Sequence, residues 1–299
     1  MGDNIQKMKG QKRLDVLIPY LFIAPFLFSF IIFFVYPSAY SFFLSFHNYR
    51  GFGEAKFIGF RNYTALLNYT MFWSALKNTL FYFIVRFIPM MAGSFITAYF
   101  INFIVSKKAA VFYKPVIFLP QVMSIVAAAL CWKVILGTEH GVINTLFNTR
   151  IGFLETSSLL KLSVVMMMLW RAFGWFVVVY MAGLTTINTG ILEAAKIDGA
   201  NNARILFNII IPLMKPIFFF AFMMDAINSM KIFTEPSVLF SSAGESVIPI
   251  SAEPVLSLLV SRISSGNFGF AAALGWVIFF IILLIVLVLR LVFKDREAQ

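Results

Sequence analysis

Charge is what this sequence has least of. Of its 299 residues only 12% are Asp, Glu, Lys or Arg, and acids are the scarcer kind, 13 against 24 bases. A soluble domain carries about 25% charged and about 45–50% apolar residues. In this chain 61% are hydrophobic and the mean hydropathy is +0.88. A water-soluble core could not hide so much apolar surface, so the bilayer is the solvent. Cysteine occurs once, at Cys131, which excludes an intrachain disulfide. The two histidines, His47 and His140, lie far apart and leave little for a His/Cys metal site, so none is expected. Convergent catalytic groups are equally scarce, and no catalytic residue is assigned. The phosphate-binding pattern G-x-x-x-x-G-K-[ST] is missing, so the chain is not expected to bind ATP itself.

What is present is long apolar runs with basic residues at their ends. Six runs are long enough to span, at about 17–36, 79–105, 115–136, 159–183, 216–236 and 271–293. The first follows a polar, basic start, "MGDNIQKMKGQKRLDV". It has spanning length and no A-x-A cleavage site, so it reads as an uncleaved helix. Lys7, Lys9, Lys12 and Arg13 precede it. Lys107, Lys108 and Lys114 lie between runs two and three, Lys196, Arg204 and Lys215 between four and five, and Lys294 and Arg296 after six. All these segments fall on one side, which the positive-inside rule makes cytoplasmic, with both termini inside. The net charge of +11 therefore reflects orientation, and no nucleic-acid partner is expected. The domains follow: a cytoplasmic segment 1–16, a transmembrane domain 17–294 and a cytoplasmic tail 295–299. In the long outer loop, "FIGFRNY" (57–63) and "FWSALKNT" (72–79) look amphipathic and are expected on the bundle rim.

The longest inner loop, about 185–215, contains "EAAKIDGA" (193–200). Residues 190–197 are good helix formers apart from Gly190. Asp198-Gly199 is turn chemistry, since glycine accepts positive φ. Helical spacing resumes over 200–211, with Ala200, Ala203, Phe207 and Ile210 on one face. Pro212 should stop that helix and Pro216 open the next span. The bland reading is a solvated hairpin. Against it, Ala194, Ala195, Gly199 and Ala200 form a surface of small side chains that lets a partner's backbone approach closely.

"EAAKIDGANNARILFNIIIPLMKP" resembles the EAA loop of permease subunits in binding-protein-dependent ABC importers. Glu193, Ala194, Ala195, Asp198, Gly199, Ala200, Ile209, Pro212 and Pro216 match the family pattern, and Leu206 stands where phenylalanine is usual. Outside the loop, "APFLFSFIIFFVYPSAYSFFLSFHNY" (24–49), "FLPQVMSIVAAALCWKVILG" (118–137), "KIFTEPSVLF" (231–240) and "NFGFAAAL" (267–274) are similar to carbohydrate permeases of the larger maltose-transporter type. "SSAGES" (241–246) departs from their usual Gly-Gly-Pro-like turn. The resemblance implies an all-α type I permease with six transmembrane helices in a bacterial cell membrane. It implies a second homologous permease, two cytoplasmic ATPase subunits that carry ATP and Mg, an extracytoplasmic solute-binding protein and a sugar substrate. The EAA loop would dock on the ATPase.

Charges within the runs are functional candidates by default. Arg86 lies in the second, Arg171 in the fourth and Asp225 in the fifth. Counting 1.5 Å per residue sets Arg171 and Asp225 at similar depth. They either pair structurally or line a polar path with Trp170, Asn228 and Ser229. Lys133 and Lys231 lie near the outer ends and would snorkel. Three rivals remain: an importer of a polyamine or phosphorylated polyol, a stand-alone secondary transporter, and a membrane-embedded enzyme.

Overall fold

The structure, a computed structural model, describes residues 19–242, 245–246 and 248–293. The basic residues before the first span and after the last lie outside them, as do 1–16 and 295–299, and Ala243 and Gly244 of "SSAGES".

The described chain is helical nearly throughout. Helix α1 runs Pro19–Ser45. Strands β1 (His47–Asn48) and β2 (Lys56–Phe57) form an antiparallel pair, and α2 is Arg61–Leu67. Then come α3 (Thr70–Phe103), α4 (Lys107–Val122), α5 (Ile125–Ile135), α6 (Val142–Phe147) and α7 (Ser157–Thr185). Helices α8 (Thr189–Ile197), α9 (Asn202–Leu213), α10 (Lys215–Met230) and α11 (Thr234–Leu239) follow. The chain closes with β3 (Ser241–Ser242), β4 (Glu245–Ser246), α12 (Val255–Ser264) and α13 (Phe268–Phe293).

By length and composition α1, α3, α7 and α13 can each cross a membrane. The expected third and fifth spans are bent pairs: α4 and α5 meet at 97°, α9 and α10 at 66°. The first break follows from local chemistry. Pro115 and Pro120 remove two backbone donors from α4. Met123 and Ser124 are then extended, and the Ser124 hydroxyl accepts from Ala127 N at 3.1 Å, starting α5 anew.

Two expected boundaries move. Helix α1 continues past Tyr36 to Ser45, because a π-turn at Ile31–Val35 precedes Pro37. In a regular α-helix the Pro37 ring would strike the carbonyl of Phe33, and a widened turn relieves this. Helix α3 starts at Thr70, so "FWSALKNT" belongs to its first turns. At 34 residues it is about 51 Å long, well beyond a hydrocarbon core of about 30 Å.

The described chain divides into two compact units, one of the residues up to Leu66 with Arg262–Trp276, the other of Leu67–Ser261 with the described residues from Val277 onward. In the first, Asn62 is buried and donates to Ser45 O (2.8 Å) and His47 O (3.0 Å), fixing α2 to the end of α1. In the second, α7 is the central element. It packs most extensively on α3 and next on α4. Gly174 permits the latter, since a side chain there would run into the main chain of Ile117 and Phe118. A core cluster joins Met90, Phe95 and Ala98 of α3, Phe176, Tyr180 and Leu184 of α7, Leu192 of α8, Ile205 and Ile210 of α9, and Ala221 of α10.

Candidate coupling and translocation sites

The EAA segment folds as a helix–turn–helix. Asn188 caps α8, its side chain accepting from Gly190 N at 2.8 Å. The helix ends in a Schellman motif: Ala200 N donates to Ala195 O (2.9 Å) and Gly199 N to Lys196 O (3.1 Å). Gly199 has φ +80°, the left-handed region that glycine enters without penalty, and no atom lies within 4 Å of where its Cβ would be. Asn201 then caps α9 by accepting from Arg204 N at 2.8 Å. These asparagine caps were not among the residues singled out from the sequence, although Asn before a helical run is their signal.

The hairpin has an inner and an outer face. Leu192, Ile205 and Ile210 are buried in the core cluster, with Ala195 and Ala200 packed against it. Glu193, Ala194, Asp198 and Gly199 are exposed, and so is Ile197, at 86%. Of the four small residues, two therefore face outward and two face the bundle. The expected face of Ala200, Ala203, Phe207 and Ile210 is corrected: Ala203 and Phe207 are exposed. A π-turn at Leu206–Ile210 spaces the buried pair Ile205 and Ile210 five apart instead of three or four. Pro212, exposed, follows this widened turn, as Pro37 does in α1, and the helix ends one residue later, at Leu213, close to the expected stop.

The buried charges arrange differently from either simple expectation. Asp225 pairs with Arg86 of α3, not with Arg171. Arg86 is 4% and Asp225 0% exposed. Arg86 Nη2 also donates to Ser229 Oγ at 2.8 Å. The pair is one-armed, since Arg86 Nε and Asp225 Oδ2 have no hydrogen-bond partner. Counting depth along α7 and α10 could not reveal this, because α3 is the helix that faces Asp225.

Beside the pair lies a cavity of about 440 Å³. Its wall holds Arg86 (α3), Gln121 (α4), Arg171 and Trp175 (α7), Asn228 (α10), Lys231, and Thr234 and Glu235 (α11). Of the residues named from the sequence, Arg171 and Asn228 line this space. Asp225 and Ser229 are buried behind it in the Arg86 cluster. Trp170 is elsewhere: with Trp132, Pro89 and Phe173 it lines a separate apolar groove of about 550 Å³. Adjacent helical residues point about 100° apart, and here Trp170 turns to the groove while Arg171 turns to the polar cavity. Gln121 and Glu235 were missed as site residues, because α4 and α11 reach the cavity only through tertiary packing; Lys231, at the end of α10 and expected to snorkel, lines the cavity as well. Lys133 does not snorkel; its Nζ donates to Ser241 O.

Long apolar helices with two broken pairs, a polar cavity and an exposed hairpin are the features of a membrane permease. The chain belongs to the family described as binding-protein-dependent transport system inner membrane component, whose pattern matches residues 90–294. It is 31% identical over 299 residues to the probable ABC transporter permease protein YesP of Bacillus subtilis (strain 168), covering 96% of this chain and 94% of that one. It is 30% identical over 275 residues to the arabinooligosaccharides transport system permease protein AraP of the same organism, covering 90% and 86%. Its fold matches a chain in the crystal structure of a bacterial ABC transporter involved in the import of the acidic polysaccharide alginate, with a TM-score of 0.81 at 22% identity, covering 98% of this chain and all of the other. The chain is thus a permease of an ABC importer and not an enzyme. That membership removes the stand-alone carrier and the embedded enzyme.

Proposed function

We propose that this chain supplies half of the translocation path of an ATP-driven saccharide importer in a bacterial cell membrane. Its path is the cavity beside the Arg86–Asp225 pair. Each bent pair, α4–α5 and α9–α10, counts as one span, giving six with both termini cytoplasmic. Lys108, Lys114, Lys196, Arg204 and Lys215 then share the inner side. A second homologous permease completes the path, an extracytoplasmic solute-binding protein delivers the cargo, and two ATPase subunits hold ATP and Mg.

The observation that carries the coupling role is the two-faced hairpin. Its inner face packs into the same cluster as α3, α7 and α10. Its outer face offers Glu193, Ala194, Ile197, Asp198 and Gly199. Docking that buries Ile197 would gain roughly 1.5–3 kcal/mol. Closure of the ATPases would then move the hairpin and the helices rooted in its cluster as one body, alternating access to the cavity. The saccharide reading rests on relatives such as the arabinooligosaccharide permease, and a wall of Trp175 with amide and hydroxyl groups suits sugar rings.

The test is to purify the chain with its partner subunits and measure substrate-stimulated ATPase activity. Gly199→Trp should weaken assembly or uncouple hydrolysis from transport. Intact assembly and coupling in that variant would overturn the docking role.

A further inference from the structure

The cavity carries a charge pattern that selects among saccharides. Arg86 is neutralised by Asp225. Among the described residues Arg171 has no ion-pair or hydrogen-bond partner, and its Nε is buried without one. Lys231, exposed, has no ion pair among the described residues. Among the described residues Glu235 is the one carboxylate on the wall outside an ion pair, so the described wall holds a positive charge in excess. The break between α4 and α5 adds to it. Ile125, the first residue of α5, lies in the wall. A helix N-terminus carries partial positive charge from its unpaired N–H groups, and broken transporter helices place such ends at anionic cargo. A partly buried guanidinium without a counter-ion is costly, and a ligand that supplies one offsets that cost.

From this juxtaposition we infer that the cargo is an acidic saccharide, an oligosaccharide bearing uronate carboxylates. A planar carboxylate matches the guanidinium fork of Arg171 and takes Lys231 as a second cation. Gln121, whose Oε1 is buried and unpartnered, Asn228 and Glu235 are left for hydroxyls, with Trp175 for a ring face. A space of about 440 Å³ falls within the roughly 300–1,000 Å³ of small-molecule sites and exceeds the needs of an inorganic anion. The inference rests on reading this cavity as part of a saccharide path.

The experiment uses the full transporter in proteoliposomes with its binding protein. The probes are hexuronate disaccharides (glucuronate, galacturonate and mannuronate), each beside the same disaccharide with its carboxyls reduced to alcohols. In the wild type, uptake kcat/KM for an acidic member should exceed that of its reduced counterpart at least tenfold. Arg171→Gln and Lys231→Gln should each lower acidic uptake, the former roughly tenfold to a hundredfold, the loss of one charge-assisted hydrogen bond. Both should lower acidic uptake far more than reduced-sugar uptake, so the acidic-to-reduced ratio of kcat/KM falls. Lys231 is exposed, so its variant cannot be confused with misfolding, and Arg171→Lys should recover part of the acidic uptake. Preference for the reduced sugars in the wild type would overturn the inference while sparing the saccharide reading. An acidic preference undiminished in both variants would overturn it too, placing selection in the binding protein. Uptake of neither kind, with ATP hydrolysis coupled to a non-sugar solute instead, would overturn both readings.

Discussion

Asp225→Asn removes one charge and almost no volume, and it isolates what the buried pair contributes. Arg86 is 4% exposed and would keep its charge with no counter-ion. Breaking a buried ion pair by deleting one partner costs about 3–5 kcal/mol. The substituted amide keeps an acceptor for Arg86, and Ser229 Oγ stays at 2.8 Å, so the lower end, about 3 kcal/mol, applies. An ordinary interhelical hydrogen bond within a membrane is worth only about 0.6 kcal/mol, so the magnitude separates the two accounts. At about 2–4 °C per kcal/mol, the melting temperature of the purified transporter should fall by roughly 6 °C or more. Tryptophan fluorescence during a thermal scan measures this. Arg86→Gln combined with Asp225→Asn discharges both partners and should recover most of the loss, since neutral replacement of a buried pair is often tolerated. A single variant that melts within about 1 °C of wild type, or a double variant showing the sum of two losses, would refute the reasoning.

Gly174→Ala should destabilise the bundle despite alanine's better helix propensity. Overpacking costs about 1–3 kcal/mol against a propensity gain of at most about 1 kcal/mol, and an unchanged or raised melting temperature would contradict the close α4–α7 approach. Burial raises the Glu253 carboxyl above its ordinary 4.5. The folded chain therefore holds that proton more tightly, and the associated stability is full below pH 4.5 and lost as pH rises through the folded value. The melting temperature of the wild type minus that of Glu253→Gln should fall across this window; a flat difference would count against the burial.

The sequence by itself determined the solvent, the helical class and the family. Long apolar runs admit few structures in a bilayer, because every backbone donor must be satisfied within its own segment. It also determined the hairpin, since Asp198-Gly199 is a local signal and the Schellman turn needs no distant residue. Local chemistry was less decisive at Pro37: the run expected to end at about Tyr36 continues through it behind a π-turn, whereas α9 ends one residue past Pro212. Only the tertiary structure decided which helix faces Asp225, and that α4 and α11 bring Gln121 and Glu235 to Arg171. Those residues are separated along the chain by whole helices, and periodicity fixes which side of a helix is apolar without naming its neighbour. The same limit separated Trp170 from Arg171. They are adjacent in sequence, yet one turns to an apolar groove and the other to a polar cavity, because helix rotation and packing, not sequence distance, set what a side chain meets.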